Sequence, residues 1–214
     1  MNQNEKFVIT INRELGSGGR TVGRKLAEKL GVPFYDKWLI NELKSKYDMS
    51  TEEVEKVKGG NSNWWREFLN AAVNIGQNMG DMSSVPRVPE QEFHLVTTDE
   101  MYKAETEILS GIAAEGSCVI AGRGGFHVFR EHPNHLSVLI QAPMAFRVKR
   151  IMHKQNMTED EAIKTIEKVD KMRENYVKRY TKTSRYDTRN YDLVINADGK
   201  TEDEIVEQIL RYIG

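Results

Sequence analysis

The sequence predicts an α/β fold in which a parallel sheet is covered by helices on both faces. Residues 7–11 form an apolar, β-branched run that is followed by a glycine-rich loop and an amphipathic helix over 22–31. The runs at 117–121 and 136–142 are nearly continuous in apolar residues, which is typical of strands buried on both faces. Helical patterns separate these strands, as parallel neighbours require.

The first half of the chain predicts a β-α-β unit followed by a helical segment. Residues 32–36, Val-Pro-Phe-Tyr-Asp, provide a short second strand, and residues 37–46 carry apolar side chains at helical spacing. No strand pattern interrupts residues 47–100, which contain two helical patterns and a stretch rich in Gly and Pro. We therefore expect a helical insertion at 47–100 on a core formed by residues 1–46 and 101–214.

The second half alternates helices and strands. Thr98 or Asp99 can cap a helix over residues 100–115. A further helix is expected after Pro143, Thr158 opens a capping signature, and Thr201 caps a closing helix. The remaining strands are expected at 117–121, 136–142 and 191–196.

The glycine-rich loop at residues 12–21 is the candidate phosphate site. A P-loop has the pattern Gly-x4-Gly-Lys-Ser/Thr. Aligned by distance from the strand, Arg13 stands at the first glycine and Gly18-Gly19 stands at Gly-Lys, so the lysine is missing. Arg20 can offer a guanidinium, which is wider and more planar than an ammonium, and Thr21 can offer a hydroxyl to Mg²⁺. The glycines alone fit a phosphate-binding loop and a simple turn equally well.

Composition limits the class of protein. Lys and Arg number 31 against 32 Asp and Glu, for a formal net charge of -1, which argues against nucleic-acid binding through bulk charge. Cys118 is the single cysteine, so neither an intramolecular disulfide nor a cysteine metal cluster can form. No stretch approaches the roughly 20 apolar residues of a membrane span. We expect a cytoplasmic protein that is a monomer or a homodimer.

Five motifs follow one another in a fixed order: Arg-Glu-Leu-Gly-Ser-Gly-Gly-Arg at 13–20, Pro-Phe-Tyr-Asp-Lys at 33–37, Val-Ile-Ala-Gly-Arg-Gly at 119–124, Phe-Arg-Val-Lys-Arg-Ile at 146–151 and Tyr-Asp-Leu-Val-Ile-Asn at 191–196. In this order the chain resembles the nucleoside monophosphate kinases, and among them the cytidylate kinase-like family. The resemblance implies a three-layer α/β/α fold of the P-loop kinase type, with an insertion that binds the nucleoside monophosphate and a lid at about 170–190. It also implies that the partners are small-molecule nucleotides and that the γ-phosphoryl group of ATP is transferred with Mg²⁺.

The resemblance assigns roles to individual residues. Arg123 matches the position that holds the acceptor phosphate, Arg173 and Arg179 are the lid candidates, and Arg150 lies on the nucleotide-side helix. Asp36 follows a strand at the edge where α/β sheets bind ligands. The expected catalytic residues are Arg20, Arg123, Arg173 and Arg179. Those expected to contact donor phosphates or a metal are Gly16, Ser17, Gly18, Gly19, Arg20 and, as the Mg²⁺ ligand, Thr21.

Three departures from ordinary cytidylate kinases leave the function open. Gly19 replaces the loop lysine, Gly124 replaces an Asp after the Gly-Arg pair, and Lys37 replaces a Ser. Besides a kinase, the sequence therefore fits a catalytically silent protein that binds or senses a nucleotide, or a scaffold whose loop binds nothing. His127, His132 and His135 lack the spacing of a helical metal pair, and we do not expect a zinc site there.

Overall fold

The structure is a computed structural model that describes residues 1–36 and 99–214, with residues 100 and 101 described in the backbone only. The helix expected at 37–46 lies outside the described residues. The insertion expected at 47–100 also lies outside them, apart from its last two positions. The division into core, insertion and lid stays a prediction.

Five parallel strands form the central sheet in the order β2-β3-β1-β4-β5. Their bounds are β1 Val8–Arg13, β2 Phe34–Asp36, β3 Cys118–Ala121, β4 His135–Gln141 and β5 Leu193–Asn196. Ile11 pairs with Ala121 on one side and with Val138 on the other, while Asp36 also pairs with Ala121. The carboxyl ends of β1, β2 and β3 therefore meet at one edge, and the five predicted strands are confirmed.

Helices connect the strands. Their bounds are α1 Gly19–Leu30, α2 Asp99–Glu115, α3 Gly125–Val128, α4 Met144–Gln155, α5 Glu159–Thr181 and α6 Glu202–Ile213, with a 3-10 turn at Thr188–Asn190. Both predicted capping signatures are confirmed, because Thr158 and Thr201 each form a complete capping box with the Glu three residues later. The short helix α3 was not predicted.

Apolar side chains fill both faces of the sheet. On one face, Leu26 of α1 and Ile209 of α6 pack with Ile9 and Ile11 of β1 in a single buried cluster. On the other face, Leu139 of β4 packs against a second group, Phe126, Val177 and Tyr191. Helices therefore cover the sheet on both sides, and the expected three-layer α/β/α architecture is confirmed.

No helix within residues 1–36 and 99–214 combines the length and the apolar composition that crossing a membrane requires.

Candidate phosphate-binding site

The loop between β1 and α1 lies at the carboxyl edge of the sheet, where the helix begins. Gly16 and Gly18 have φ values of +86° and +85°, a region that glycine enters without a steric penalty. Gly18 is the N-cap of α1 and provides no side chain to cap it. In the described part of the chain, no acceptor is bonded to the backbone N–H groups of Gly18, Gly19 or Arg20. These groups and the positive end of the helix dipole can receive an anion.

Hydrogen bonds from Ser17 to Glu14 fix the shape of the loop. Ser17 is buried, and its hydroxyl donates to the backbone oxygen of Glu14 at 2.9 Å. The backbone N–H of Ser17 donates to the same oxygen at 3.3 Å. The hydroxyl of Ser17 is thus committed to the turn, while the amides that follow it remain available.

Helices α4 and α5 support the loop from below. A Cβ on Gly16 would lie 2.8 Å from the Cβ of Arg147, so the backbone passes directly over this arginine. Arg147 donates to Asp170 Oδ2 at 2.6 Å, and the other carboxylate oxygen of Asp170 accepts from the backbone N–H of Leu15 at 3.0 Å. Asp170 therefore ties the loop and both helices together.

Four arginines meet at the start of the loop. Arg20 pairs with Asp36 at 2.5 Å between Nε and Oδ2, and Arg173 donates to the backbone oxygen of Arg13 at 3.2 Å. Arg185, which is fully buried, donates to the same oxygen. Burial and, after it, the Arg173 guanidinium lower the pKa of Arg13 to about 9, with Asp36 acting in the opposite direction. The site thus concentrates positive charge in a chain whose formal net charge is -1.

Arg123 lies beyond the end of β3, as expected, but it is closed in by other side chains. It forms an ion pair with Glu105 of α2, and the two side chains are 8% and 3% exposed. Its guanidinium carbon lies 4.6 Å from the centre of the Tyr176 ring, and burial lowers its pKa. Gly124, the next residue, is the N-cap of α3.

The other predicted arginines lie at different distances from the loop. The Arg150 guanidinium pairs with Glu202, and its Nη2 would lie 3.3 Å from a Cβ on Gly18, which places it beside the loop. Arg179 pairs with Asp99 at 2.9 Å on the exposed surface between α5 and α2. The structure therefore brings Arg20, Arg173 and Arg150 to the loop, whereas it does not bring Arg179 there.

Thr21 is the predicted Mg²⁺ ligand. Thr21 lies in the first turn of α1, close in sequence to the Arg20 that binds Asp36. Among the described residues, no group of three or more His, Cys, Asp or Glu side chains can hold a metal ion. Mg²⁺ at phosphoryl-transfer sites is commonly held by one or two protein oxygens, several waters and the phosphates themselves. Thr21 and Asp36 provide the oxygen types of such a sparse set, and Arg20 already pairs with the Asp36 carboxylate.

Sequence reasoning gave Arg13 no role and missed three further residues of this site. Arg185 and Asp170 lie within the basic segment and the charged helix α5, where a solvent-exposed face is the ordinary interpretation. Glu105 sits on α2, a helix that carries several other carboxylates. Its place on the inward face, beside Ile108 and Leu109, was the one available signal that it is buried.

Comparison with known proteins identifies the family of the chain. The model of the cytidylate kinase-like family matches residues 8–199. A cytidylate kinase of Saccharolobus islandicus is 30% identical over 144 residues, which are 65% of this chain and 71% of that protein. An uncharacterized protein of Eubacterium ventriosum is 24% identical, with a TM-score of 0.68 over 97% of this chain and 98% of that one. A shikimate kinase from Bacteroides thetaiotaomicron shares the fold, with a TM-score of 0.52 at 14% identity over 98% of this chain and 99% of that one. Because the match to the family spans most of its length, the chain belongs to the cytidylate kinase-like family.

Proposed function

We propose that the protein is a kinase that transfers the γ-phosphoryl group of ATP to a nucleoside monophosphate such as CMP, or to a related small phosphate acceptor, with Mg²⁺. Membership of the cytidylate kinase-like family supports the reaction type. The cytidylate kinase of Saccharolobus islandicus supports the choice of a cytidine nucleotide as the first acceptor to test.

One observation carries the proposal: the guanidinium groups around Arg13 converge beside open backbone amides. Arg13, Arg20, Arg173 and Arg185 all act on the same small volume at the carboxyl edge of the sheet. Phosphoryl transfer requires little covalent participation by the protein. It depends on positioning the substrates and on neutralising charge on the phosphoryl oxygens. A glycine loop with several fixed cations meets both requirements.

The two substrates would approach from different elements. The loop amides and Arg150 face the donor side, with Arg20 at the start of α1. Arg123 stands at the end of β3, and we assign it to the acceptor phosphate. That assignment requires Glu105 to release or share Arg123 when an acceptor binds, since an arginine fork can hold two anions side by side.

Mg²⁺ supplies charge neutralisation between the donor phosphates when it is bound with ATP. Thr21 would offer a hydroxyl and Asp36 a carboxylate oxygen near it. The Arg20 side chain holds Asp36 in place.

A coupled assay of ADP production against a panel of nucleoside monophosphates tests the function. We expect turnover with a cytidine or related monophosphate, and a loss of about 100-fold in kcat/KM for Arg20→Ala and Arg123→Ala, because each removes a cation from the reacting phosphates. Arg24→Ala is the matched control, since Arg24 lies one turn further along α1 and pairs with Glu28 in solvent. Absence of turnover with every acceptor would refute the kinase.

A catalytically silent nucleotide-binding protein is the second candidate. It is favoured by the missing loop lysine and by the carboxylate partners that Arg123 and Arg179 already have. Calorimetry distinguishes the two functions, because a silent binder retains ATP without consuming it in the presence of any acceptor.

A further inference from the structure

The loop differs from the P-loop pattern at two positions, and these two positions touch each other. The pattern has glycine at the place of Arg13 and lysine at the place of Gly19. In this chain the glycine and the cation have changed places. A Cβ on Gly19 would lie 2.6 Å from the Cβ of Arg13 and 3.1 Å from its Cγ.

Space, and not backbone conformation, explains the glycine at position 19. Gly19 lies in the first turn of α1 and is absent from the described residues with positive φ, so its backbone can carry any side chain. Apart from Arg13, the nearest atom to its Cβ position is the Cβ of Ile140 at 3.5 Å, an ordinary van der Waals distance. The Arg13 side chain therefore occupies the volume that a lysine at position 19 would need.

A second glycine accommodates the other end of the same side chain. The Arg13 guanidinium lies against Gly122 at the end of β3, where its carbon would be 3.3 Å from a Cβ. The absence of side chains at Gly19 and Gly122 thus leaves room for the Arg13 side chain. This side chain extends from the first turn of α1 to the end of β3.

Arg13 is a partly buried residue, and burial of its guanidinium is the main cause of its lowered pKa. Among the described residues, none forms an ion pair with it, although Arg20, Arg147, Arg150, Arg173 and Arg185 are all paired. Its backbone is fixed from behind by Arg173 and Arg185, which both donate to its carbonyl oxygen. A cation held among other cations, whose nearby counter-charge Asp36 is already bound by Arg20, is suited to an anionic ligand.

We infer that Arg13 makes the contact with the donor phosphates that a P-loop lysine makes elsewhere, the loop having exchanged its glycine and its cation between positions 13 and 19. This inference deepens the proposed function and rests on it for the identity of the donor. The lowered pKa of Arg13 agrees with it, because a bound polyphosphate would offset the burial and the neighbouring Arg173 charge. The planar fork also allows two phosphate oxygens to be held at once.

Two measurements on the same variants test the inference. Binding of inorganic tripolyphosphate is followed by calorimetry, and phosphoryl transfer by the coupled assay. For Arg13→Gln, which keeps polarity and much of the volume, we expect about tenfold weaker tripolyphosphate binding and about 100-fold lower kcat/KM. Arg24→Ala should match the wild type in both. Tripolyphosphate binding of Arg13→Gln within threefold of the wild type, or no binding by the wild type, would overturn the role of Arg13.

The exchange itself is tested by restoring the ordinary pattern. Gly19→Lys alone should lower Tm, because the lysine collides with Arg13, and Arg13→Gly alone should lose tripolyphosphate binding. The double variant Arg13→Gly/Gly19→Lys should bind tripolyphosphate at least about tenfold more tightly than Arg13→Gly, because the lysine at position 19 puts a cation into the space that Arg13 had filled. A folded double variant that binds no better than Arg13→Gly would overturn the exchange.

The tripolyphosphate measurement also separates this inference from the kinase proposal. If the wild type transfers phosphate to no acceptor but loses tripolyphosphate binding when Arg13 is replaced, the kinase fails and Arg13 remains a phosphate ligand. If transfer occurs and Arg13→Gln leaves both measurements unchanged, the kinase stands and the inference about Arg13 fails.

Discussion

Asp170 is the residue on which the support of the loop depends most. Its carboxylate binds Arg147 at 2.6 Å, accepts from the backbone N–H of Leu15 at 3.0 Å and lies 3.5 Å from Arg185. The side chains of Arg147 and Arg185 are 9% and 0% exposed. Two buried guanidinium groups therefore share one carboxylate, and Glu14, 3.7 Å from Arg147, is a second and more distant negative charge.

We predict that Asp170→Asn lowers the free energy of unfolding by roughly 3 kcal/mol, because it leaves buried positive charge without its partner. Urea denaturation measures the change. Asp198→Asn, in an exposed turn, is the control and should lie within about 0.5 kcal/mol of the wild type. A loss at position 170 no larger than at position 198 would show that the buried network contributes little to folding.

At the scale of single residues, the sequence predicts which residues form the site better than it predicts the contacts that those residues make. The glycines and Arg20 are identified by their distance from the first strand. Asp170 is not, because its contact with Leu15 joins positions 155 residues apart. Similarly, nothing in the local pattern around Arg123 indicates that a carboxylate from α2 covers it. Pairing across the fold is a property of packing, which short motifs do not record.

Among the elements, the loop before α1 combines two separate steric demands at Gly16. Its φ of +86° disfavours any side chain, and a Cβ there would lie 2.8 Å from the Cβ of Arg147 and 2.9 Å from its backbone oxygen. The backbone oxygen belongs to α4 and cannot swing away. Gly31 at the end of α1 has a φ of +64° but no atom within 4 Å of its Cβ position.

These two glycines make a matched pair of alanine variants. We predict that Gly31→Ala costs about 1 kcal/mol of stability, from the left-handed conformation alone. Gly16→Ala should cost about 3 kcal/mol, because the collision with α4 adds to the same conformational penalty. It should also weaken tripolyphosphate binding, which Gly31→Ala should not affect. Equal losses of stability would mean that the loop relaxes away from α4 without cost.

Elements with a strong local signal are predicted well. The strands are recognised as apolar runs, and the capping boxes at Thr158 and Thr201 mark the starts of α5 and α6. The helix α3 is missed because glycines at positions 124 and 125 resemble an open loop. In the structure, Gly124 uses its positive φ of 66° as an N-cap, and Gly125 packs closely on Thr10 of β1.

For the whole molecule, the parallel sheet explains how distant residues make one site. Arg13 contacts Arg173 and Arg185 although 160 and 172 residues separate them, because β1 is central in the sheet and its carboxyl end lies within reach of both side chains. The fold class follows from the sequence, since alternating strands and helices permit few topologies. The concentration of arginines at one edge does not, because 31 basic and 32 acidic residues give an almost neutral chain.

His135 links the stability of the whole molecule to pH. It begins β4, and its Nε2 lies 2.8 Å from the hydroxyl oxygen of Thr10 on β1. Burial lowers the pKa of His135 to about 4, with the nearby His132 acting in the same direction and Asp192 opposing it. The unfolded chain takes up this proton near the ordinary value of about 6.5. Protons therefore favour the unfolded state, and stability falls as the pH drops from 6.5 to 4.

We predict that the free energy of unfolding falls by about 3 kcal/mol across this range because of His135 alone. His135→Gln keeps a polar group near Thr10 but cannot titrate, so its stability should change less between pH 6.5 and pH 4. Urea denaturation at intervals of half a pH unit measures both curves. His153→Gln, on the exposed side of α4, is the control and should leave the slope unchanged. Parallel curves for the wild type and His135→Gln would show that His135 takes up its proton equally well in the folded and unfolded chains, and that acid destabilisation arises elsewhere in the fold.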